Sequence, residues 1–200
     1  TKTVAFVNLK GGVGKTTSSL AIATAAQRSG LSVTVVDTDP QGSATLWAQA
    51  AEDADDPLPF PVVSRNQAEI RRMRERRPDR NGELIVIDTP PNGSVVDEAI
   101  KTADFVVIPT LSSPIDLQQT MLTAAQCQDA GKDYAVLIVM ARKGTNALRA
   151  FRTAVEEYGA GIFDTEIPLR EDFKADFGHT FRSNLNGYED VWNELRGELR

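Results

Sequence analysis

The sequence predicts an α/β fold: a doubly wound, mostly parallel sheet with helices on both faces. Three observations predict it. Short, near-continuous apolar and β-branched runs recur along the chain, and strands read this way when both faces of their sheet are covered. A stretch of helical character follows each run, and that alternation implies βαβ units. The 200 residues contain no internal repeat and no low-complexity linker, so residues 1–200 suit a single domain.

Taken in order, the first strand is TVAFVNL (3–9), and a glycine-rich loop carries it into a helix beginning near Lys15. The second is SVTVVDTD (32–39), which ends in two aspartates. The proline-rich DDPLPFPVVS (55–64) reads as an irregular connection, because proline cannot donate to a ladder. The segment EIRRMRERR has the period and charge mix of an exposed helix. Three further strands are ELIVIDT (83–89), DFVVIPT (104–110) and YAVLIVMA (134–141), followed by a weaker one, FDTEIPL (163–169). In YEDVWNELRGELR, Trp192, Leu195 and Leu199 share one side of a helix. Glu189, Asp190, Glu194 and Glu198 lie on the other side with Arg196 and Arg200, so the apolar stripe reads as a packing face.

Lys and Arg number 22 against 28 Asp and Glu, a net charge of -6. That balance argues against a wholly basic nucleic-acid binder and leaves room for a local basic face. The charges are clustered: Glu52, Asp53, Asp55 and Asp56 form an acidic loop, and Arg65, Arg71, Arg72, Arg74, Arg76, Arg77 and Arg80 follow closely. Cys127 is the only cysteine, which excludes an intrachain disulfide and a multi-cysteine metal site. No apolar run approaches the roughly 20 residues of a membrane helix. Residues 1–9 do not resemble a signal peptide, so a cytoplasmic protein is expected.

In open α/β sheets, function gathers at the C-terminal ends of the strands. The first such end carries KGGVGKTT, between an apolar strand and a helix. That is the context of a phosphate-binding loop, whose backbone N–H groups surround phosphate oxygens at a helix N-terminus. Lys10, Gly11, Gly12, Val13, Gly14, Lys15, Thr16 and Thr17 are the candidate nucleotide-binding set. Lys15 reaches the β- and γ-phosphates, and the Thr16 hydroxyl ligates Mg²⁺. Asp88 ends a run of four apolar residues and would hold Mg²⁺ through water. Asp37 and Asp39 are two apart, so on an extended chain both face one side. His179, the only histidine, has no matching Ser or Cys motif and reads as a surface or capping residue.

The usual loop, G-x-x-x-x-G-K-[ST], has a glycine where this chain has Leu9, and Lys10 follows. With that departure, KGGVGKTT resembles the deviant Walker A loop of the ParA/MinD ATPases. The resemblance runs over nearly the whole chain and is strongest to the short ParA-type plasmid partition ATPases, through TVVDTDPQGSATLW and SSPIDL. It implies an ATPase of the P-loop NTPase fold that uses ATP and Mg²⁺ and forms an ATP-sandwich homodimer. Lys10 would cross the interface to the partner's phosphates, and Asp116 with its helix would help form that interface. Lys10, Lys15 and Asp39 would be the catalytic residues, with Asp39 orienting or deprotonating the attacking water. Asp37 would assist the Mg²⁺ shell, and Met140, Arg142 and Pro168 are candidate adenine contacts.

The resemblance also implies nonspecific double-stranded DNA binding by the dimer, on the nucleoid, with release by a small centromere-binding partner of the ParB type that stimulates hydrolysis. Candidate DNA contacts are Arg142, Lys143, Arg149, Arg152, Arg170, Lys174 and Arg182; the arginines of 65–80 form a rival face. The loop strand starts at residue 3, as in the short type without a helix-turn-helix, so operator reading is not expected. A MinD-like membrane ATPase would need a basic amphipathic terminal helix, and the acidic face of YEDVWNELRGELR opposes anionic lipid. A relative of the nitrogenase iron protein would need several cysteines. Two further alternatives are an ATPase positioning a non-DNA cargo and a metabolic ligase of the dethiobiotin-synthetase type.

Overall fold

The computed structural model describes residues 1–76, 82–170 and 177–199. Its strands are β1 (Lys2–Phe6), β2 (Ser32–Asp37), β3 (Val62–Ser64), β4 (Glu83–Asp88), β5 (Phe105–Thr110), β6 (Asp133–Ile138) and β7 (Gly161–Ile162). The helices are α1 (Lys15–Arg28), α2 (Ser43–Asp53), α3 (Gln67–Glu75), α4 (Ser94–Thr102), α5 (Pro114–Asp129), α6 (Asn146–Glu157) and α7 (Tyr188–Glu198). The sheet order is β3-β2-β4-β1-β5-β6-β7, and every pairing is parallel.

The apolar runs are explained by cover on both faces. Along β1, Val4 and Phe6 join one buried cluster, and Ala5 and Val7 join the other. In β4, Leu84 and Val86 face the first cluster and Ile87 the second. The first core contains residues of α1, α2 and α7. Residues of α3, α4 and α5 fill the second, while α6 closes a third beside β6. In α7, Tyr188, Val191, Trp192 and Leu195 are buried, which is the packing face expected for the terminal helix. The Arg-rich helix α3 buries only Ile70 and starts with a capping box between Asn66 and Glu69. Arg71 and Arg74 reach Glu98 of α4 at 3.9 and 3.4 Å.

Two strands differ from the sequence reading. β3 lies inside the stretch read as irregular, where VVS pairs with Val35, Val36 and Asp37. The prolines stop short of it, and an edge strand needs only one partner. The weak run at 163–169 is mostly not strand. β7 ends at Ile162, and the N–H groups of Asp164 and Thr165 donate to the Glu194 carboxylate at 2.8 and 3.0 Å. Phe163 N still donates to Val136 O of β6, and the chain meets β6 again where Ile167 N donates to Ile138 O, beside an isolated Ala141–Pro168 bridge.

This topology assembles the site. β4 lies between β1 and β2, with Phe6 and Asp37 both in register with Asp88. The loop after β1 and the aspartates ending β2 and β4 therefore emerge side by side, next to where the strand order passes from β4 across β1 to β5.

Candidate functional site

The loop after β1 is built around left-handed glycines. Gly12 and Gly14 both have φ of 75°, a conformation that strains side chains with a Cβ. A Cβ at Gly11 or Gly12 would meet no atom within 4 Å, so the loop faces open space. Gly14 is the N-cap of α1 and lends no side chain to it, which leaves helix N–H groups available to an anion. Val13 is buried and anchors the loop.

Lys15 is almost fully buried and arches back over the loop. Its Nζ donates to Lys10 O at 2.9 Å and Asn8 O at 3.2 Å. Burial pulls its pKa below the usual lysine range, with Asp88 and Asp39 acting against that shift. Thr16 Oγ1 donates to Asp88 Oδ2 at 2.7 Å. Asp88 is fully buried, and desolvation pushes its pKa up to about 7, with the Thr16 hydrogen bond opposing and Asp37 adding to the rise.

A divalent cation fits this pair. Asp88 Oδ1 is buried and has no hydrogen-bond partner among the described residues, an arrangement that is costly for a carboxylate. A hard cation takes such oxygens. The described residues hold no group of three or more His, Cys, Asp or Glu side chains arranged for a metal. A cation here would complete its shell with phosphate oxygens and water.

β2 ends at Asp37, so the two-residue strand alternation does not extend to Asp39. Asp37 is fully buried: Oδ2 accepts from Thr45 N and Oγ1, both at 2.8 Å, and Oδ1 from Asp39 N at 3.1 Å. It thus ties the first turn of α2 to the loop. Asp39 is half-exposed, bonds Gln41 N through Oδ1 at 2.9 Å, and lines the cavity above the phosphate loop.

That cavity encloses about 390 Å³. Gly11, Gly12, Gly14, Lys15, Thr16 and Thr17 form its floor, and Asp39 and Met140 also line it. Met140 holds a left-handed φ of 52° just beyond β6 and is 43% exposed. Arg142 and Pro168 do not line the cavity, because Pro168 bridges Ala141 and Arg142 lies exposed before α6. Trp47 and Phe177, which sequence reasoning missed, do line it. The sequence signal for Trp47 was faint: an aromatic on a helix face four residues after Ser43.

Lys10 also lies outside the cavity lining. Its Nζ pairs with Asp116 Oδ1 at 2.5 Å, and its backbone N–H donates to Asn8 Oδ1 at 2.9 Å. Asp116 is 2% exposed and belongs to the capping box that starts α5 with Ser113. Burial opposes ionisation of Asp116, but the Lys10 and Ser113 bonds together hold its pKa below the usual carboxylate range.

The DNA candidates do not form one patch. Arg142, Lys143 and Arg149 are exposed around the N-terminus of α6. Arg152 instead bonds Phe163 O at 3.0 Å and Glu166 at 3.2 Å. Arg182 is exposed, but its carbonyl is held by Arg28 at the far end of α1, about 20 Å from the phosphate loop. Arg170 is exposed, and Lys174 lies outside the described residues.

A glycine loop at a helix N-terminus, a buried Thr–Asp pair beside it and a second lysine at its front define a phosphate-loop nucleotide-binding domain. Residues 4–180 match the CobQ/CobB/MinD/ParA nucleotide binding domain, and the chain belongs to that family. It is 30% identical over 180 residues to maintenance of carboxysome distribution protein A of Halothiobacillus neapolitanus, covering 86% of this chain and 82% of that protein. It is 27% identical over 205 residues to protein ParA of Rhizobium radiobacter, covering 98% and 90%. The fold resembles cobyrinic acid a,c-diamide synthase from Mycobacterium smegmatis, solved with an ATP analogue and magnesium, at a TM-score of 0.72 and 20% identity over 98% and 94% of the two chains. No described helix is long and apolar enough to cross a membrane.

Proposed function

We propose that this chain is a ParA-type ATPase that positions a cargo on DNA, dimerising around Mg-ATP and separating after hydrolysis. One observation carries the reading: a second lysine at the loop's front, held in the single chain by a buried carboxylate at the start of α5. A lysine that served only its own subunit's phosphates would point into the cavity. This one rests on the helix that the resemblance to ParA-type ATPases implies at the dimer face.

The residues divide the work. Lys15 and the N–H groups of the loop and α1 bind the phosphates, and Thr16 with Asp88 holds the cation. Bound Mg²⁺ supplies charge neutralisation and orientation of the phosphate oxygens. Asp39, at the cavity wall, positions the water for attack. Lys10 leaves Asp116 and reaches the partner's phosphates, where a cation in a water-poor interface stabilises developing charge. For the switch to be nearly complete, ATP must favour the dimer over ADP by several kcal/mol.

DNA partition, driven by a small ParB-type partner, is supported by the likeness to ParA. A second reading, a proteinaceous cargo carried on the nucleoid by the same cycle, is favoured by the likeness to carboxysome distribution proteins. The shared core is tested by sizing the protein with ATP, ADP or no nucleotide, with and without nonspecific duplex. A dimer in ATP alone that shifts onto duplex is expected. A monomer in all three states would overturn the reading. Turnover that requires a small metabolite instead of DNA and partner would indicate a metabolic enzyme.

A further inference from the structure

We infer that Phe177 is a nucleotide-contacting residue whose ring is the stacking surface for the base, held in place by Trp47. The inference rests on the nucleotide reading of the loop and adds a residue to it. Phe177 lines the cavity above the phosphate loop, yet it is 54% exposed. An aromatic ring left half in water at a ligand cavity needs an explanation, because folding normally removes it.

The explanation lies in what surrounds the ring. Residues 177–181 cross α2 as a strap. Phe177 meets the Trp47 ring at a centroid distance of 5.4 Å, tilted by 56°. Phe181 stacks on Trp47 at 5.3 Å and 28°. Trp47 is buried and pinned, with Nε1 donating to His179 O at 2.9 Å. The strap's backbone is fixed as well. Thr180 N donates to Asp56 Oδ2 at 3.1 Å, and Gly178, at φ 77°, lies so close to α2 that a Cβ would sit 3.0 Å from Ala50 Cβ. The space beneath Phe177 is filled, so its ring is presented to the cavity and not folded into the core.

The cavity's chemistry matches a nucleotide. Its floor is glycine N–H groups and Lys15, while Met140, Pro91, Trp47 and Phe177 are apolar. Phosphates need the first set, and a base needs the second. Arg142 and Pro168 stand outside the lining; among the described residues, Phe177 and Met140 are the exposed large apolar side chains that line it.

The test is calorimetric titration of the full chain with Mg-ADP and, separately, with inorganic tripolyphosphate, which has no base. Phe177→Ala should weaken Mg-ADP about ten-fold and leave tripolyphosphate unchanged, and Phe177→Trp should recover the affinity. Unchanged Mg-ADP binding in Phe177→Ala would overturn the inference. So would parallel loss of both ligands, which would mark a structural role for the ring. If the unsubstituted chain binds neither ligand, the nucleotide reading itself fails, an outcome distinct from loss of stacking alone.

Discussion

Lys10 shows how one side chain can have two alternative partners. In the single chain its ammonium lies on Asp116, whose other oxygen serves the Ser113 cap. If Lys10 reaches a partner's phosphates as proposed, that pair has to break, and Asp116 would then set part of the cost of the proposed dimer. Asp116→Asn keeps a polar side chain at the helix start and removes the charge that holds Lys10. The dimer should then form at lower ATP, read by light scattering across a nucleotide titration. A shift to higher ATP would show that Asp116 acts within the interface and not against it. Lys10→Ala should abolish the ATP-dependent dimer by the same measurement. Asp39 makes a different prediction, because it lines the cavity without touching Lys15 or Thr16 by a direct hydrogen bond. Asp39→Ala should bind ATP and dimerise, yet lose about 10²-fold or more in turnover, the scale of a positioned acid–base group. Phosphate release near the unsubstituted rate would remove it from water positioning.

At the scale of elements, most of the scaffold was legible. The apolar runs marked β1, β2, β4, β5 and β6 because two covered faces leave no polar alternation. β3 was hidden because three residues behind a proline-rich stretch give no periodicity. The weak seventh run was misjudged for a physical reason: Glu194, thirty residues from Asp164, captures the N–H groups a ladder would use. The phosphate loop was legible because its chemistry is contiguous in sequence. The aromatic wall was not, since Trp47 and Phe177 come from opposite parts of the chain and meet only through the strap over α2. That strap predicts a stability effect. Gly178→Ala places a Cβ against Ala50 in a left-handed backbone, and such substitutions destabilise by about 1 kcal/mol or more. The melting temperature should fall by about 2–4 °C for a chain of this size. An unchanged melt would show that the strap lifts off α2 readily, and the fixed presentation of Phe177 would go with it.

At the scale of the whole molecule, a net charge of -6 has to be reconciled with the proposed binding of a polyanion. The reconciliation is geometric. Arg142, Lys143 and Arg149 are exposed together around the start of α6, Arg149 bonded among the described residues only to the neutral Gly144 O and Asn146 Oδ1, while Arg71, Arg74 and Arg152 are engaged by the carboxylates of Glu98 and Glu166. In the proposed dimer, the three cations of each protomer would be doubled on one body. Each phosphate neutralised contributes about -0.9 to the slope of log affinity against log salt. The triple variant Arg142→Ala, Lys143→Ala, Arg149→Ala would thus remove up to about 5 from that slope in the ATP dimer. Arg182→Ala, at the far end of α1, should leave it unchanged. Fluorescence anisotropy with nonspecific duplex in ATP, repeated across a salt series, measures both. An unaltered slope in the triple variant, or an equal loss in Arg182→Ala, would move the DNA face away from α6. ATP-dependent sizing of the same variants separates lost DNA contacts from a lost dimer. Only a triple variant that still dimerises and has a shallower slope assigns the three side chains to phosphate.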